Sequence, residues 1–281
     1  MRRFGRVLSF EIDKALRSRL TWVTLMLPAI LTFVSVWIGE WVRRAEQIAE
    51  SGDVERIASA YLGFSRGVGN GLVLGAIFLL FYSSMAIANE GNLRTFKTIL
   101  LRAHTRLEWV FAKFGLLLLI GLGLLCVVVI TGLASAALFG DYVAIAEEGY
   151  VFYEAGFMAD ESVRAVLLVI PPLIALAAFG LMVSTFTDHT GIATSACIGA
   201  YVFLEALKSS SSSARQYLFN TFMPSLLDTS YFVALTGFAE GNSDAAFEAG
   251  WVGFNLLTPL VSAALFLIVA SVAFGRRDVV V

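Results

Sequence analysis

Long, continuously apolar runs make up most of the chain, and short polar segments separate them. A helix of about 20 apolar residues crosses the hydrocarbon core of a bilayer, and six runs approach or exceed that length. They cover residues 20–39, 68–88, 114–140, 165–186, 191–207 and 251–274. Because a helix satisfies its own backbone hydrogen bonds within lipid, these runs predict six membrane-spanning helices rather than strands.

Composition excludes the soluble alternatives. Apolar residues account for 58% of the chain and charged residues for 15%, against about 45–50% and about 25% in typical soluble domains. One soluble core could not bury this much apolar surface, and a chain with 23 Phe does not stay solvated as a disordered one. We therefore predict an all-α polytopic membrane protein in which residues 1–281 form a single transmembrane domain.

The basic residues indicate how the spans are oriented. Six spans place both termini on one side, and most of the 20 Lys and Arg residues fall on that side of the membrane. The positive-inside rule therefore predicts a multi-pass protein of the cell (inner) membrane with both termini cytoplasmic. Arg43 and Arg44, just beyond the first span, oppose this trend.

The connection between spans five and six, residues 208–250, is predicted to be extracytoplasmic. It begins with a serine run at 209–213, which is typical of a flexible linker. Apolar residues then recur at roughly helical spacing, which favours helical pieces lying on the membrane or dipping into it. A plain loop packed on the bundle is the alternative, and the sequence does not separate the two.

Residues 1–19 predict an amphipathic helix at the cytoplasmic interface. The apolar residues near one helical face are Phe4, Val7, Leu8, Ile12 and Leu16. Most of the charged residues of this segment fall on the opposite face. Such a helix fits either simple membrane anchoring or the docking of a cytosolic partner.

The loop between spans two and three also predicts a short amphipathic helix. Phe96, Ile99 and Leu100 share one helical face, and basic residues surround them. Apolar knobs with a charged rim suit the groove of a partner protein. A basic loop that only fixes the topology is the alternative interpretation.

This loop resembles the cytoplasmic loop of export-type permease subunits of ABC transporters, a six-span, type-two family that works with a separate ATPase. The matching residues are Glu90, Thr95, Phe96, Lys97, Thr98, Ile99, Leu100, Thr105, Arg106 and Lys113. Arg94 and Ala103 stand where the family prefers Gly and Pro. Residues 10–19 and 274–279 are similar to the two ends of the family's chains, so the resemblance covers the whole plan of spans.

The resemblance implies that the loop carries a coupling helix, which seats in a groove of the ATPase. The implied ATPase-contact residues are Glu90, Arg94, Thr95, Phe96, Lys97, Ile99, Leu100, Arg102 and Arg106. It also implies two copies of the ATPase, which bind ATP and Mg, and a second permease, identical or paralogous, in the lipid bilayer. The chain itself is predicted to bind no cofactor, metal or nucleic acid.

Motifs for catalysis are weak or missing. No Lys follows a Gly, so the chain lacks the phosphate-binding G-x-x-x-x-G-K-[ST] loop. Residues 63–67 match the G-x-S-x-G nucleophile elbow, but both histidines, His104 and His189, are predicted on the opposite side of the membrane. We therefore predict a protein that is not catalytic itself.

Glycine recurs at every fourth position as the chain approaches span two. Such a ridge of small residues lets helices approach closely, and it could face another span or a second protomer. The ridge residues are Gly63, Gly67, Gly71 and Gly75.

Glu205 is an acidic residue inside a predicted span, where ionisable groups are candidates for function. Lys208, three residues later, favours an ion pair that snorkels to the membrane edge. A proton or cation site is the alternative.

These patterns and the resemblance predict the permease subunit of an ATP-driven ABC transporter that works by alternating access. The near absence of charge in the spans favours export of a hydrophobic or amphipathic substrate. A non-transporting membrane scaffold or assembly protein and a gradient-driven transporter are the alternatives.

Overall fold

The computed structural model describes residues 2–49, 59–92, 105–147, 150–210, 215–242, 244 and 249–276. Within these ranges the chain is almost entirely helical, and six helices or helix pairs are long and apolar enough to cross a membrane. The predicted all-α polytopic class with six spans is therefore confirmed. The predicted coupling helix falls on residues 93–104, which lie outside the described ranges.

The described elements comprise nine helices and two short strands, and the strands were not predicted. The helices are α1 (Arg2–Leu16), α2 (Arg19–Ala49), α3 (Ala60–Asn92), α4 (Arg106–Phe139), α5 (Ala155–Leu168), α6 (Ile170–Ser184), α7 (Thr190–Ser210), α8 (Tyr231–Ala239) and α9 (Ala249–Arg276). A two-stranded antiparallel hairpin, β1 (Ile145–Glu147) and β2 (Tyr150–Tyr153), precedes α5, and a 3₁₀ turn at Arg215–Tyr217 follows α7. The spans are α2, α3, α4, α5 with α6, α7 and α9.

Several spans are longer than their apolar runs. With 33 and 34 residues, α3 and α4 are each about 50 Å long at 1.5 Å per residue. The hydrocarbon core is only about 30 Å thick, so both helices continue beyond it. Hydropathy marks only the part of a helix that lipid surrounds, and polar residues extend the helix on either side.

Two helices form the centre of the bundle. Helix α3 packs against α2, α4, α6 and α7, while α6 packs against α3, α4 and α9. In α7 and in α9, only 17% of an 18-residue apolar stretch is buried inside the protein, against 67% in the span formed by α5 and α6. The peripheral helices therefore present most of their apolar surface outward, as expected where lipid is the solvent.

The fourth span is broken into α5 and α6 next to Pro171 and Pro172. Pro172 has no N–H, so the carbonyl of Leu168 four residues earlier lacks its usual helical donor. The side chain of Asn255 in α9 supplies the missing hydrogen bond, from Nδ2 to Leu168 O at 3.1 Å. Because an unpaired carbonyl is costly in lipid, this contact fixes α9 against the break.

The two ends of the bundle differ. The basal end holds α1, the C-terminal ends of α3, α6 and α9, and the start of α4; the distal end holds the hairpin, the 3₁₀ turn and α8. Helix α8 buries its apolar residues against α3 and α5, and Thr236 donates to Ser65 Oγ at 3.1 Å. The segment 208–250 thus combines both alternatives, since it contains helical pieces that pack on the bundle. Its side of the membrane stays a prediction.

Candidate functional site

The segment proposed to contact the ATPase is held by described residues on both sides. Glu90 lies in the last turn of α3, and Thr105 caps the start of α4 by accepting a hydrogen bond from Glu108 N at 3.1 Å. This Thr-x-x-Glu pattern is a helix-start signal. Arg94, Thr95, Phe96, Lys97, Ile99, Leu100 and Arg102 lie outside the described residues.

A buried ionic cluster joins these flanks to the N-terminal helix. Lys113 Nζ lies 2.6 Å from Glu11 Oε2 of α1 and 2.5 Å from Glu90 Oε1 of α3. Lys14 Nζ, also from α1, lies 2.9 Å from the same Glu90 oxygen. We call these four residues the basal cluster; it contains two carboxylates and two ammonium groups, so its formal charges balance.

The degree of burial decides which contacts of the basal cluster matter for stability. Glu11, Glu90 and Lys113 are 2%, 1% and 5% exposed, and breaking such a buried pair by removing one partner typically costs about 3–5 kcal/mol. The side chain of Lys14 is 47% exposed, so water screens its contribution. Lys113 is therefore the residue that holds α1, α3 and α4 together.

A second contact fixes the start of α4 to the end of the last helix. Arg106 Nη1 donates to the carbonyls of Phe274 and Gly275, at 3.3 and 3.1 Å. A guanidinium at a helix C-terminus satisfies carbonyls that have no partner within the helix. The rings of Trp109 and Phe274 stack beside it with centroids 5.0 Å apart, so four helices converge around the ends of residues 93–104.

Sequence reasoning identified Glu90, Arg106 and Lys113 only through the resemblance, and it did not identify Glu11 as their partner. The structure brings Glu11 and Lys113 together across 102 positions of sequence. A Lys close to the start of a long apolar helix is the signal that could have found the cluster, because a buried ammonium requires carboxylates nearby.

The glycine ridge lies inside the bundle. Its members are Gly63, Gly67, Gly71 and Gly75. A Cβ at the second or third glycine would overlap Val36 or Thr32 of α2, and one at the fourth would lie 2.8 Å from Leu124 of α4. The ridge therefore faces other spans of the same chain, where small residues permit close packing. Since Ser65 lies within α3, the strand-to-helix turn of a nucleophile elbow is not formed there.

Glu205 belongs to a buried polar cluster near the distal end. Lys208 Nζ lies 3.2 Å from Glu205 Oε2 and donates to Ser225 Oγ at 2.9 Å, while Asn220 Nδ2 donates to Glu205 Oε1 at 2.7 Å. Lys208 is 5% exposed, so this ion pair is enclosed by protein and does not snorkel. Together with Asp228, whose charge interacts with both ions, these residues form what we call the distal cluster.

The distal cluster contains two carboxylates but one ammonium group. Burial raises the pKa of Asp228 above its usual range, against the opposing hydrogen bonds from Ser230 and the charge of Lys208. In the described part of the chain, no hydrogen bond reaches Asn220 Oδ1, although that atom is buried. This cluster therefore carries an excess of acid, whereas the formal charges of the basal cluster balance.

Comparison with known proteins adds evidence that is independent of the geometry. No curated protein matches the chain significantly. The profile of the family described as ABC-2 family transporter protein matches residues 6–279, which include all six spans and the helices that meet at the basal end. We conclude that this multi-pass membrane protein belongs to the ABC-2 family as a transporter permease, the non-catalytic membrane component that associates with an ATPase subunit.

Proposed function

We propose that the chain is the permease of an ATP-driven exporter in which α1 and residues 90–106 receive the movement of a separate ATPase. Two permeases, identical or paralogous, would assemble with two ATPase copies, which bind and hydrolyse ATP with Mg. The protein would lie in the inner membrane of the cell, with both termini and the basal end on the cytoplasmic side.

The basal cluster is the observation that carries this proposal. Lys113 contacts Glu11 and Glu90, so any displacement of the segment between α3 and α4 is transmitted to α1 and to the spans. Because buried charges separate at high cost, these helices move as one body rather than independently. In this arrangement Glu90, only 1% exposed, positions the segment from inside, and the contacts with the ATPase would come from residues 94–102.

The proposed cargo is hydrophobic or amphipathic. The core clusters of the bundle consist of apolar side chains from α3, α4, α6 and α9. The described ionic groups within the spans that are buried, such as Lys113 and Glu205, already have oppositely charged partners. A strongly charged substrate would find no ready counter-charge there.

The test combines capture of the partner with a transport assay. The tagged protein is purified in mild detergent, and co-purifying ATPase is identified by mass spectrometry and by ATP hydrolysis. Arg102→Glu in the coupling segment is expected to release the ATPase, whereas Arg276→Glu, the same charge change at the basal end but outside the segment, leaves it bound. A chain that purifies without any ATPase contradicts the proposal.

Transport separates the proposed exporter from the two alternatives. In reconstituted vesicles, fluorescent amphipathic probes should accumulate only when ATP is supplied on the ATPase side. Transport that follows an ion gradient without ATP would indicate a secondary transporter. An ATPase that binds and hydrolyses ATP while no probe moves would support a scaffold.

A further inference from the structure

Helix α2 carries one outward stripe of large apolar side chains. These residues recur every three or four positions, which places them on one helical face. They are Trp22, Met26, Ile30, Phe33, Trp37 and Trp41, and each is between 41% and 67% exposed. A continuous exposed apolar stripe on a spanning helix is the surface that faces the lipid.

The two outermost tryptophans of the stripe mark the edges of the bilayer. At 1.5 Å per residue, the rise from Trp22 to Trp41 is about 28 Å, close to the roughly 30 Å thickness of the hydrocarbon core. Tryptophan is enriched at both membrane interfaces. Trp22 therefore lies at the basal interface and Trp41 at the distal one.

One arginine lies about one turn beyond each tryptophan, at the depth of the lipid headgroups. At the distal end Glu40 pairs with both cations: Arg44 Nε and Arg43 Nη2 lie 2.9 and 2.6 Å from Glu40 Oε1. At the basal end Arg19 is exposed, and so is Arg17 in the turn between α1 and α2. Within the described residues, no carboxylate pairs with either guanidinium.

Of the carboxylates nearest in sequence, Asp13, four residues before Arg17, forms no ion pair within the described residues. Glu11 is committed to Lys113 inside the basal cluster and is 2% exposed. The indole of Trp22 donates to the carbonyl of Leu16 at 3.0 Å, which fixes the turn that carries Arg17. Leu16 itself is 55% exposed, so the turn is continuous with the lipid-facing stripe.

We propose that Arg17 and Arg19 form a binding surface for anionic phospholipid headgroups at the basal interface. A guanidinium binds phosphate oxygens in a bidentate manner, and the apolar stripe places acyl chains directly beside these two residues. The two arginines at the distal end, by contrast, already share the carboxylate of Glu40. The surface therefore distinguishes the two leaflets, and it does not depend on the ATPase.

The test is lipid competition on the full-length protein. The protein is reconstituted in nanodiscs of mixed phosphatidylcholine and phosphatidylglycerol, and the lipids that stay bound after release are counted by native mass spectrometry. A basic residue near an anionic surface contributes about 1 kcal/mol, which is about fivefold in binding. Arg19→Gln should lower the preference for phosphatidylglycerol about fivefold, and Arg17→Gln with Arg19→Gln roughly 25-fold.

Two variants serve as controls. Arg44→Gln removes the matching exposed arginine beyond Trp41 but should change the preference less than Arg19→Gln does, because Glu40 already accepts a hydrogen bond from Arg44. Arg17→Lys with Arg19→Lys keeps the charge and should retain most of the preference. Unfolding temperatures in pure phosphatidylcholine nanodiscs show whether each variant is folded.

Three results would overturn the proposal: a double Gln variant that keeps its preference, an Arg44→Gln variant that loses as much as Arg19→Gln, or a double Lys variant that behaves like the Gln one. If the double Gln variant keeps its lipid preference but no longer captures the ATPase, the surface serves a protein partner instead. A loss confined to the basal Gln variants supports the proposal.

Discussion

The basal and distal clusters are both buried groups of charged residues. They differ in charge balance and in how many helices their ion pairs connect. In the basal cluster, Lys113 bridges two carboxylates from different helices at 2.5 and 2.6 Å, and Lys14 completes the balance. In the distal cluster, Lys208 pairs with a carboxylate three residues earlier in the same helix, and Asp228 leaves an excess of acid.

This difference suggests two roles. The basal cluster holds helices together, whereas the distal cluster can respond to pH. A balanced cluster that joins three helices has no stable alternative, because losing any buried member leaves an uncompensated charge. A cluster with excess acid can take up a proton and remain buried. We therefore expect the basal end to be the more rigid of the two.

Lys113→Met should have the largest effect and tests the rigidity of the basal end. It leaves Glu11 and Glu90 buried without Lys113, so the free energy of unfolding should fall by about 3–5 kcal/mol. Lys14→Met removes a half-exposed partner and should cost about 0–1 kcal/mol. Unfolding in detergent measures both free energies. Equal losses would show that Lys113 contributes no more to stability than Lys14.

Lys208→Met should cost less, about 2 kcal/mol, because the side chain of Glu205 is 14% exposed and keeps the hydrogen bond from Asn220. Adding Glu205→Gln should restore most of the loss, since Asp228, the carboxylate that remains, keeps its hydrogen bonds from Ser230. The corresponding double change at the basal end, Lys113→Met with Glu90→Gln, still leaves Glu11 unpaired. If that variant recovers equally, the contrast between the clusters fails.

Gly71→Ala tests the close packing between α2 and α3, two helices that run between the basal and distal ends. The added methyl group would overlap Thr32, and overpacking of this kind costs about 1–3 kcal/mol. Gly69→Ala, two residues away, meets nothing within 4 Å and should leave the unfolding temperature unchanged or slightly higher, since Ala favours helix. Similar unfolding temperatures for the two variants would argue against close packing at this seam.

Asp228→Asn should have the smallest effect and should appear only in the dependence of stability on pH. Burial raises the pKa of Asp228, so the folded chain binds this proton more tightly than the unfolded chain. The resulting stability is complete below about pH 4, the ordinary value for Asp, and is lost as the pH rises through the raised pKa. The variant's unfolding temperature should therefore decline less over that range than the parent's, and parallel profiles would contradict the assignment.

The spans could be predicted because the hydrophobic pattern and the lipid solvent act on each segment separately. The bend at Pro171 and Pro172 was predictable for the same reason, since a proline removes a local hydrogen bond. The repair of that bend was not, because Asn255 reaches Leu168 O from 87 residues away. Likewise, Glu205 and Lys208 were recognised as a pair, but their burial depends on Asn220 and Ser225. The apolar spacing of residues 208–250 does not specify these contacts.

The sequence by itself determined the membrane environment, the number of spans, the amphipathic N-terminal helix and the family, since composition, period and local motifs decide these properties. Only the tertiary structure decided that Lys113 joins α1, α3 and α4, and that the glycine ridge faces α2 and α4. It also decided that Glu40 pairs with Arg43 and Arg44, while Arg17 and Arg19 stay exposed. Each of these depends on which distant side chains meet, and in lipid that is governed by close packing and charge pairing between helices rather than by hydropathy.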